Sequence, residues 1–311
     1  MKSLKTKTYL SALGLATVLA TLSTQASAGV DVTNWQLNLN ALSSTYPSLA
    51  NVVTTGINNL SFNGESYVVN TPVPNQSGIY TSTDVGVFNV TQKNGGVPLA
   101  LGPVVNGVTQ NGQLTAYFQA TDLTNVNTGA FTFTGGTLSI YYDATQVYGT
   151  TAANNYGATA GTQIATFNIA NTGNPNTGGG FVNPNGTPQA NGTVTITGQA
   201  PTTLTPSNIF LDSNGNPFNQ NILLSFVTSN ASEDLSASPN TASSPNQYTI
   251  DPNLVQALTG TTGTTNTQTS YFITNGGQFK LQYAPEPMTI ALFGVGLLAM
   301  GLTLRRRVGL Y

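Results

Sequence analysis

The feature that most restricts this chain is a series of short runs in which apolar and polar residues alternate, with no helical periodicity between them. Gln113 to Ala120 reads Q-L-T-A-Y-F-Q-A, which puts Leu114, Ala116, Phe118 and Ala120 on one face of a strand. Phe131 to Thr134 and Thr137 to Tyr142 alternate in the same way and are separated by Gly135-Gly136, a pattern that predicts a two-residue β-hairpin. Further strands are predicted at Val85 to Thr91, Thr162 to Ala170, Gly192 to Gly198, Asn208 to Leu211, Ile222 to Thr228 and Gln278 to Tyr283, with Tyr271 to Tyr283 as the last strand or hairpin. Clusters of Asn, Gly, Ser and Pro at Asn171 to Gly180, Asn183 to Gly186, Ser213 to Asn216 and Thr259 to Asn266 read as turns or loops. Short helices are expected only within Trp35 to Leu49 and Pro252 to Leu258. Strands at this spacing without intervening helices predict an all-β domain, an antiparallel β-sandwich or barrel, with a sandwich sufficient to account for them. No fixed internal period is present, which disfavours a β-solenoid.

The two ends have a different character. Lys2, Lys5 and Lys7 precede an apolar stretch from Tyr9 to Leu22, followed by Ala26-Ser27-Ala28. This order predicts a secretory signal peptide, a helix cleaved between Ala28 and Gly29. At the other end Pro285-Glu286-Pro287 leads into an apolar run from Met288 to Leu304 and then Arg305-Arg306-Arg307. At about 1.5 Å per residue the run makes a helix of about 25 Å, close to the roughly 30 Å hydrocarbon core of a bilayer. The arginine cluster acts as a stop-transfer signal and stays on the cytoplasmic side. The expected organisation is therefore a signal peptide (1–28), an extracellular β-rich domain (29–284) and a sorting or anchor segment (285–311).

The ordered tail, Pro285-Glu286-Pro287, a short span containing Gly294, Gly296 and Gly301, then the arginines, resembles the PEP-CTERM sorting domain of Gram-negative bacteria. That resemblance implies processing near Pro285 by a membrane-embedded exosortase, after a transient stay in the inner membrane. The product would be released to the outer surface or extracellular matrix. A second likeness lies in the body of the chain. Leu114 to Phe118, Thr128 to Asp143, Asn208 to Gly215 and Leu223 to Ser229 resemble the flocculation-associated PEP-CTERM proteins. This resemblance implies a part in floc and biofilm formation with exopolysaccharide, and it carries no catalytic residues.

With the ends set aside, composition becomes informative. Of the eight Lys and Arg only Lys93 and Lys280 lie between Gly29 and Ala284, against nine acids (Asp31, Glu65, Asp84, Asp122, Asp143, Asp212, Glu233, Asp234 and Asp251), a net charge of −7. Two lysines cannot neutralise a phosphate backbone, so nucleic acid is not an expected partner. The chain has no histidine and no cysteine, which removes Ser-His-Asp and Cys-His chemistry and any histidine-containing zinc site. Stability must come from the core, and about 256 residues are enough for one large β domain.

Carboxylate chemistry remains. A glycosidase needs two carboxylates across a cleft, but no pair is marked by the sequence, and Glu233-Asp234 lies in a Ser/Asn/Pro-rich stretch that reads as a solvated loop. Asp212-Ser213-Asn214-Gly215-Asn216 opens like a calcium loop, then fails at Pro217 and Leu223, where glycine and a bidentate glutamate belong. It reads as a tight turn, and no metal or cofactor is expected. Tyr142 shares a face with Leu138 and Ile140 and belongs in the core. Tyr141 faces the other way and is the candidate glycan contact, the alternative being that it covers sheet surface.

The expected function is that of an exported non-catalytic surface or matrix protein acting with exopolysaccharide or neighbouring cells. Its processing partners would be signal peptidase and an exosortase. Two other classes stay open: a secreted polysaccharide-active enzyme using paired carboxylates, and a self-assembling structural surface protein.

Overall fold

The structure is a computed structural model and describes residues 30–105, 108–109, 112–169, 178–183, 192–218, 222–233, 250–261, 266–267 and 269–283. The signal-peptide residues Ala26, Ala28 and Gly29, the motif Pro285, Glu286 and Pro287, the run Met288 to Leu304 and the cluster Arg305, Arg306 and Arg307 lie outside them. Among the described residues no helix is long and apolar enough to cross a membrane.

Eight long strands dominate: β1 (Leu60–Pro72), β2 (Ile79–Lys93), β3 (Gln113–Asn125), β4 (Ala130–Asp143), β5 (Thr162–Asn168), β6 (Gly192–Leu204), β7 (Ile222–Glu233) and β8 (Ser270–Tyr283). Each pairs antiparallel with the next in chain order. β8 then returns to β1, from Ser270 opposite Val69 to Phe279 opposite Leu60. The sheet closes on itself as an up-and-down β-barrel. The short strand Gly178–Phe181 pairs with β4 and β6 and extends the wall where β5 ends. Closure removes the exposed edges that an open sheet of this width would carry, and eight strands leave an interior that side chains can fill.

The Gly135-Gly136 hairpin expected from the sequence is not formed. β4 runs unbroken through both glycines, with a register shift between Phe133 and Gly135 that marks a β-bulge. The reversal lies earlier, between Asn125 and Ala130, where the Asn125 side chain accepts hydrogen bonds from the amides of Asn127 and Thr128 and Gly129 takes φ +69°. Gly136 has φ +141°, and a Cβ there would lie 2.2 Å from the Gln119 carbonyl oxygen. The glycines allow β3 to approach β4 closely and let one long strand outcompete two short ones.

The other local expectations fare unevenly. Pro252–Thr259 is helical (α1), with Asp251 Oδ1 accepting from the Asn253 amide and Gly260 closing the C-terminus at φ +74°. Trp35 to Leu49 holds no α-helix. Trp35–Asn38 is a strand between Val53–Ile57 and Phe210–Leu211, followed by 3-10 turns at Leu39–Leu42 and Pro47–Leu49. Ladder bonds on both sides of Trp35–Asn38 win over a helix. Gly178 to Gly180, expected to be loop, is strand.

Alternation directs one residue set of each strand inward. Towards one end these are Leu60, Phe62, Phe88, Leu114, Phe118, Leu138, Ile140, Tyr142, Leu224, Phe226, Phe279 and Leu281, all buried in one continuous core with Trp35 and Leu37 of the small sheet. Phe226 stacks on Phe62 at 4.4 Å and lies parallel to Phe118 at 6.5 Å. Towards the other end the inward set becomes mixed: Ser66, Asn70, Ser82, Asp84, Asp122, Thr124 and Asn275 are interleaved with the buried cluster Val68, Tyr271 and Ile273. On the outer wall α1 packs Leu254, Val255 and Leu258 against Val87, Ala158 and Phe272.

Candidate functional site

Two concave regions carry polar groups: a cleft on the outer wall and a cavity inside the barrel. The cleft, about 390 Å³, is lined by Asn63, Gly64 and Glu65 of β1, Asn89 of β2, Tyr148 and Tyr156 of the β4–β5 connection, Ile250, Asp251 and Leu254 at and before the start of α1, and Thr274 and Asn275 of β8.

Its tyrosines are placed by an uncommon backbone. Asn154, Asn155 and Tyr156 all have positive φ, between 51° and 62°, and Gly157 follows at φ +81°. The left-handed conformation costs a non-glycine residue about 1–2 kcal/mol, and asparagine is the residue that most often accepts it. Local bonds hold the turn: Ala158 and Thr159 amides donate to Asn155 and Asn154 carbonyls, both at 3.0 Å, and the Gly149 amide donates to the Tyr156 carbonyl. The Tyr156 hydroxyl donates to Asp251 Oδ2 at 2.7 Å, and the Tyr148 hydroxyl to the Val87 carbonyl at 3.1 Å. The two rings meet edge to face at 5.2 Å. Burial first raises both phenol pKa values well above the ordinary one, followed for Tyr148 by Tyr156 and then Glu65, and for Tyr156 by its bond to Asp251 and the charges of Asp251 and Glu65. The tyrosines thus stay neutral and act as ring surfaces. Among the described residues the cleft offers aromatic surface, carboxylate and amide oxygens, and no cationic side chain.

Asp251 has both oxygens committed, one as helix cap and one to Tyr156. That arrangement fixes the cleft wall and leaves this carboxylate poorly placed to move between roles as acid and base.

Tyr141, the contact expected from the sequence, faces outward and is half-buried. Its hydroxyl donates to Gln163 Oε1 on β5 at 3.0 Å, and it does not line the cleft. Tyr142 is in the core at 1% exposure, with its hydroxyl donating to the Leu101 carbonyl at 3.0 Å and its pKa pushed up to about 12 by burial. The Asp212 segment is a turn: Oδ1 accepts from the Asn214 and Asn216 amides, both at 2.8 Å, which holds the carboxyl below its ordinary pKa. Among the described residues no group of three or more Asp or Glu converges as a metal site would require.

The interior cavity, about 40 Å³, was not anticipated. Its polar lining is Ser66, Asp84, Asp122, Thr124, Thr228, Tyr271 and Asn275, and the rest of its wall is apolar: Val68, Phe88, Phe118, Phe131, Phe133, Val182, Ile196, Phe226 and Ile273. Asp122 Oδ1 accepts from Thr124 Oγ1 at 2.8 Å, and Asn275 Nδ2 donates to Ser66 Oγ at 3.0 Å. Asp84 retains partial surface because it lines the cavity, but its Oδ1 is buried with no hydrogen-bond partner. Burial, reinforced by the charge of Asp122, pushes Asp84 up to about 8. Burial, opposed by bonds from Thr124 and Ser82, pushes Asp122 up to about 6. The signal for both was phase. Asp122 continues the inward set Leu114, Ala116, Phe118 and Ala120, and Asp84 lies in register with Phe88 and Val90.

No protein-family model, curated protein or solved structure matches this chain.

Proposed function

We propose that this is an exported, non-catalytic protein of the outer surface or extracellular matrix of a Gram-negative bacterium, and that it promotes flocculation or biofilm aggregation by holding exopolysaccharide. In this reading the N-terminal segment is a cleaved signal helix. The tail is a transmembrane helix that anchors the precursor in the inner membrane until an exosortase acts at Pro285-Glu286-Pro287. The barrel is the part that remains.

The observation that carries the reading is the outer cleft. Neutral tyrosine rings beside amide and carboxylate acceptors, with no lysine or arginine in the lining, suit a polyhydroxylated neutral ligand, whose ring faces stack and whose hydroxyls donate. Replacing Tyr148 by Ala should weaken binding of the native polysaccharide about tenfold, the equivalent of about 1.4 kcal/mol. Unchanged binding would remove the cleft from the account. Deleting 285–311 should abolish surface retention and flocculation while secretion continues, and flocculation at the full level would overturn the sorting part.

One observation favours a second reading, a polysaccharide hydrolase: Glu65 and Asp251 line the same cleft. Release of reducing ends from the polysaccharide, lost in both Glu65→Gln and Asp251→Asn, would establish it.

A further inference from the structure

We propose that the polar half of the barrel interior is a binding site for one hard divalent cation, with calcium as the natural probe. The size of the cavity sets the ligand class. About 40 Å³ exceeds the roughly 10–15 Å³ that one water needs and falls far below the roughly 300 Å³ where small-molecule pockets begin. An ion with a water or two fits; a sugar does not.

The donor set sets the chemistry. Asp84, Asp122, Ser66, Thr124, Tyr271 and the Asn275 amide offer oxygen, with no sulfur or imidazole, which suits calcium or magnesium and not a softer metal. The coordination number that calcium prefers, 6–8 oxygens, is reached only by drawing on hydroxyl and amide groups and water beside the two carboxylates.

The independent pointer is Asp84 Oδ1, sealed in the wall of the cavity with no partner. Buried carboxylate oxygens are normally satisfied, and the carboxyl this one belongs to lines a cavity that Asp122 lines as well. Neither lysine of the body reaches the pair: Lys93 Nζ donates to the Thr55 carbonyl and Lys280 pairs with Asp31 at 2.9 Å. Neutralisation must come from protons or from an ion, and an extracellular setting supplies the ion. The two regions share Asn275 but no carboxylate, so changing Asp84 or Asp122 tests the interior site and leaves the cleft's own acids, Glu65 and Asp251, in place.

The test is calcium titration of the full-length chain, purified in detergent and stripped with chelator, at 150 mM NaCl so that weak surface binding by a −7 body is screened. One calcium per chain should bind, and thermal unfolding should shift upward. At a calcium concentration one hundred times the dissociation constant the folded-to-unfolded ratio should rise about a hundredfold. Asp84→Asn and Asp122→Asn should each lose both effects while folding normally in chelator, because asparagine matches the neutral carboxyl in shape. Asp212→Asn and Glu65→Gln should retain them. In a second measurement terbium should luminesce on tyrosine excitation, and Tyr271→Phe should dim that emission even if an asparagine variant misfolds. No binding of calcium or magnesium by the wild-type chain, retention of the shift in both asparagine variants, or undimmed terbium emission in Tyr271→Phe would each overturn the proposal.

Discussion

The two halves of the barrel interior are built by the same strands in the same alternating phase, yet one is hydrocarbon and the other carries two acids. β3 shows the contrast most simply: Leu114, Ala116 and Phe118 face the apolar half, while Asp122 and Thr124, on the same face further along, line the cavity. A barrel needs only enough apolar packing to fold, and a closed ring distributes that requirement unevenly. The apolar half, continuous with the small sheet around Trp35, supplies the core. The polar half has Asp84 Oδ1 without a partner and two carboxyls whose pKa values burial raises. The apolar half also holds one unsatisfied polar atom, Trp35 Nε1, so the difference between the halves is the pair of buried carboxyls, which cost more to keep than a neutral group and assign folding to one end and binding to the other.

Four measurements would break or sharpen that contrast. The largest effect is expected from Phe226→Ala, which removes the ring stacked on Phe62 and leaves a cavity in the apolar half. Urea unfolding should show a loss of about 3–5 kcal/mol, and a loss under 1 kcal/mol would mean that this half is not the core. Next comes pH. Both interior carboxyls have raised pKa values, so in chelator the folded protein keeps protons that the unfolded chain has released above about pH 4. Stability should therefore be greatest near pH 4 and fall by a few kcal/mol as pH rises through about 6 and about 8. Asp84→Asn should flatten most of that slope, and an unchanged slope would remove Asp84 as its source. A smaller effect, about 1–3 kcal/mol, is expected for Gly136→Ala at the bulge between the halves, where φ +141° and the nearby Gln119 carbonyl oppose a side chain. Neutral behaviour there would mean that β3 does not approach β4 closely at Gln119. The smallest change is expected outside both halves. Tyr141→Phe loses one bond to Gln163 on a half-buried surface and should alter stability by no more than about 0.5–1 kcal/mol, with calcium binding untouched.

Much of the wall was legible along the chain. Period-2 runs marked parts of β2 to β8, the short helix expected at Pro252 to Leu258 is α1, and the shared face of Leu138, Ile140 and Tyr142 put Tyr142 inside. β1 was missed because Gly64-Glu65 interrupts its pattern and both of its faces are partly covered, one by the interior and the other by the cleft. The Gly135-Gly136 error has a related cause: a glycine pair permits either a turn or a close approach between strands, and only the length of the partner strand decides which.

The composition and patterning of the chain alone determined that the body is β-structured and that histidine and cysteine chemistry is absent, because these depend on residue type and local period. Tertiary structure alone decided that the sheet closes through β8 and β1, that Asp84 meets Asp122 inside it, and that Tyr148 and Tyr156 reach Glu65 and Asp251 outside it. Each of those contacts joins segments far apart in the chain, and the strand register that brings them together is set by which side chains the closed barrel can bury.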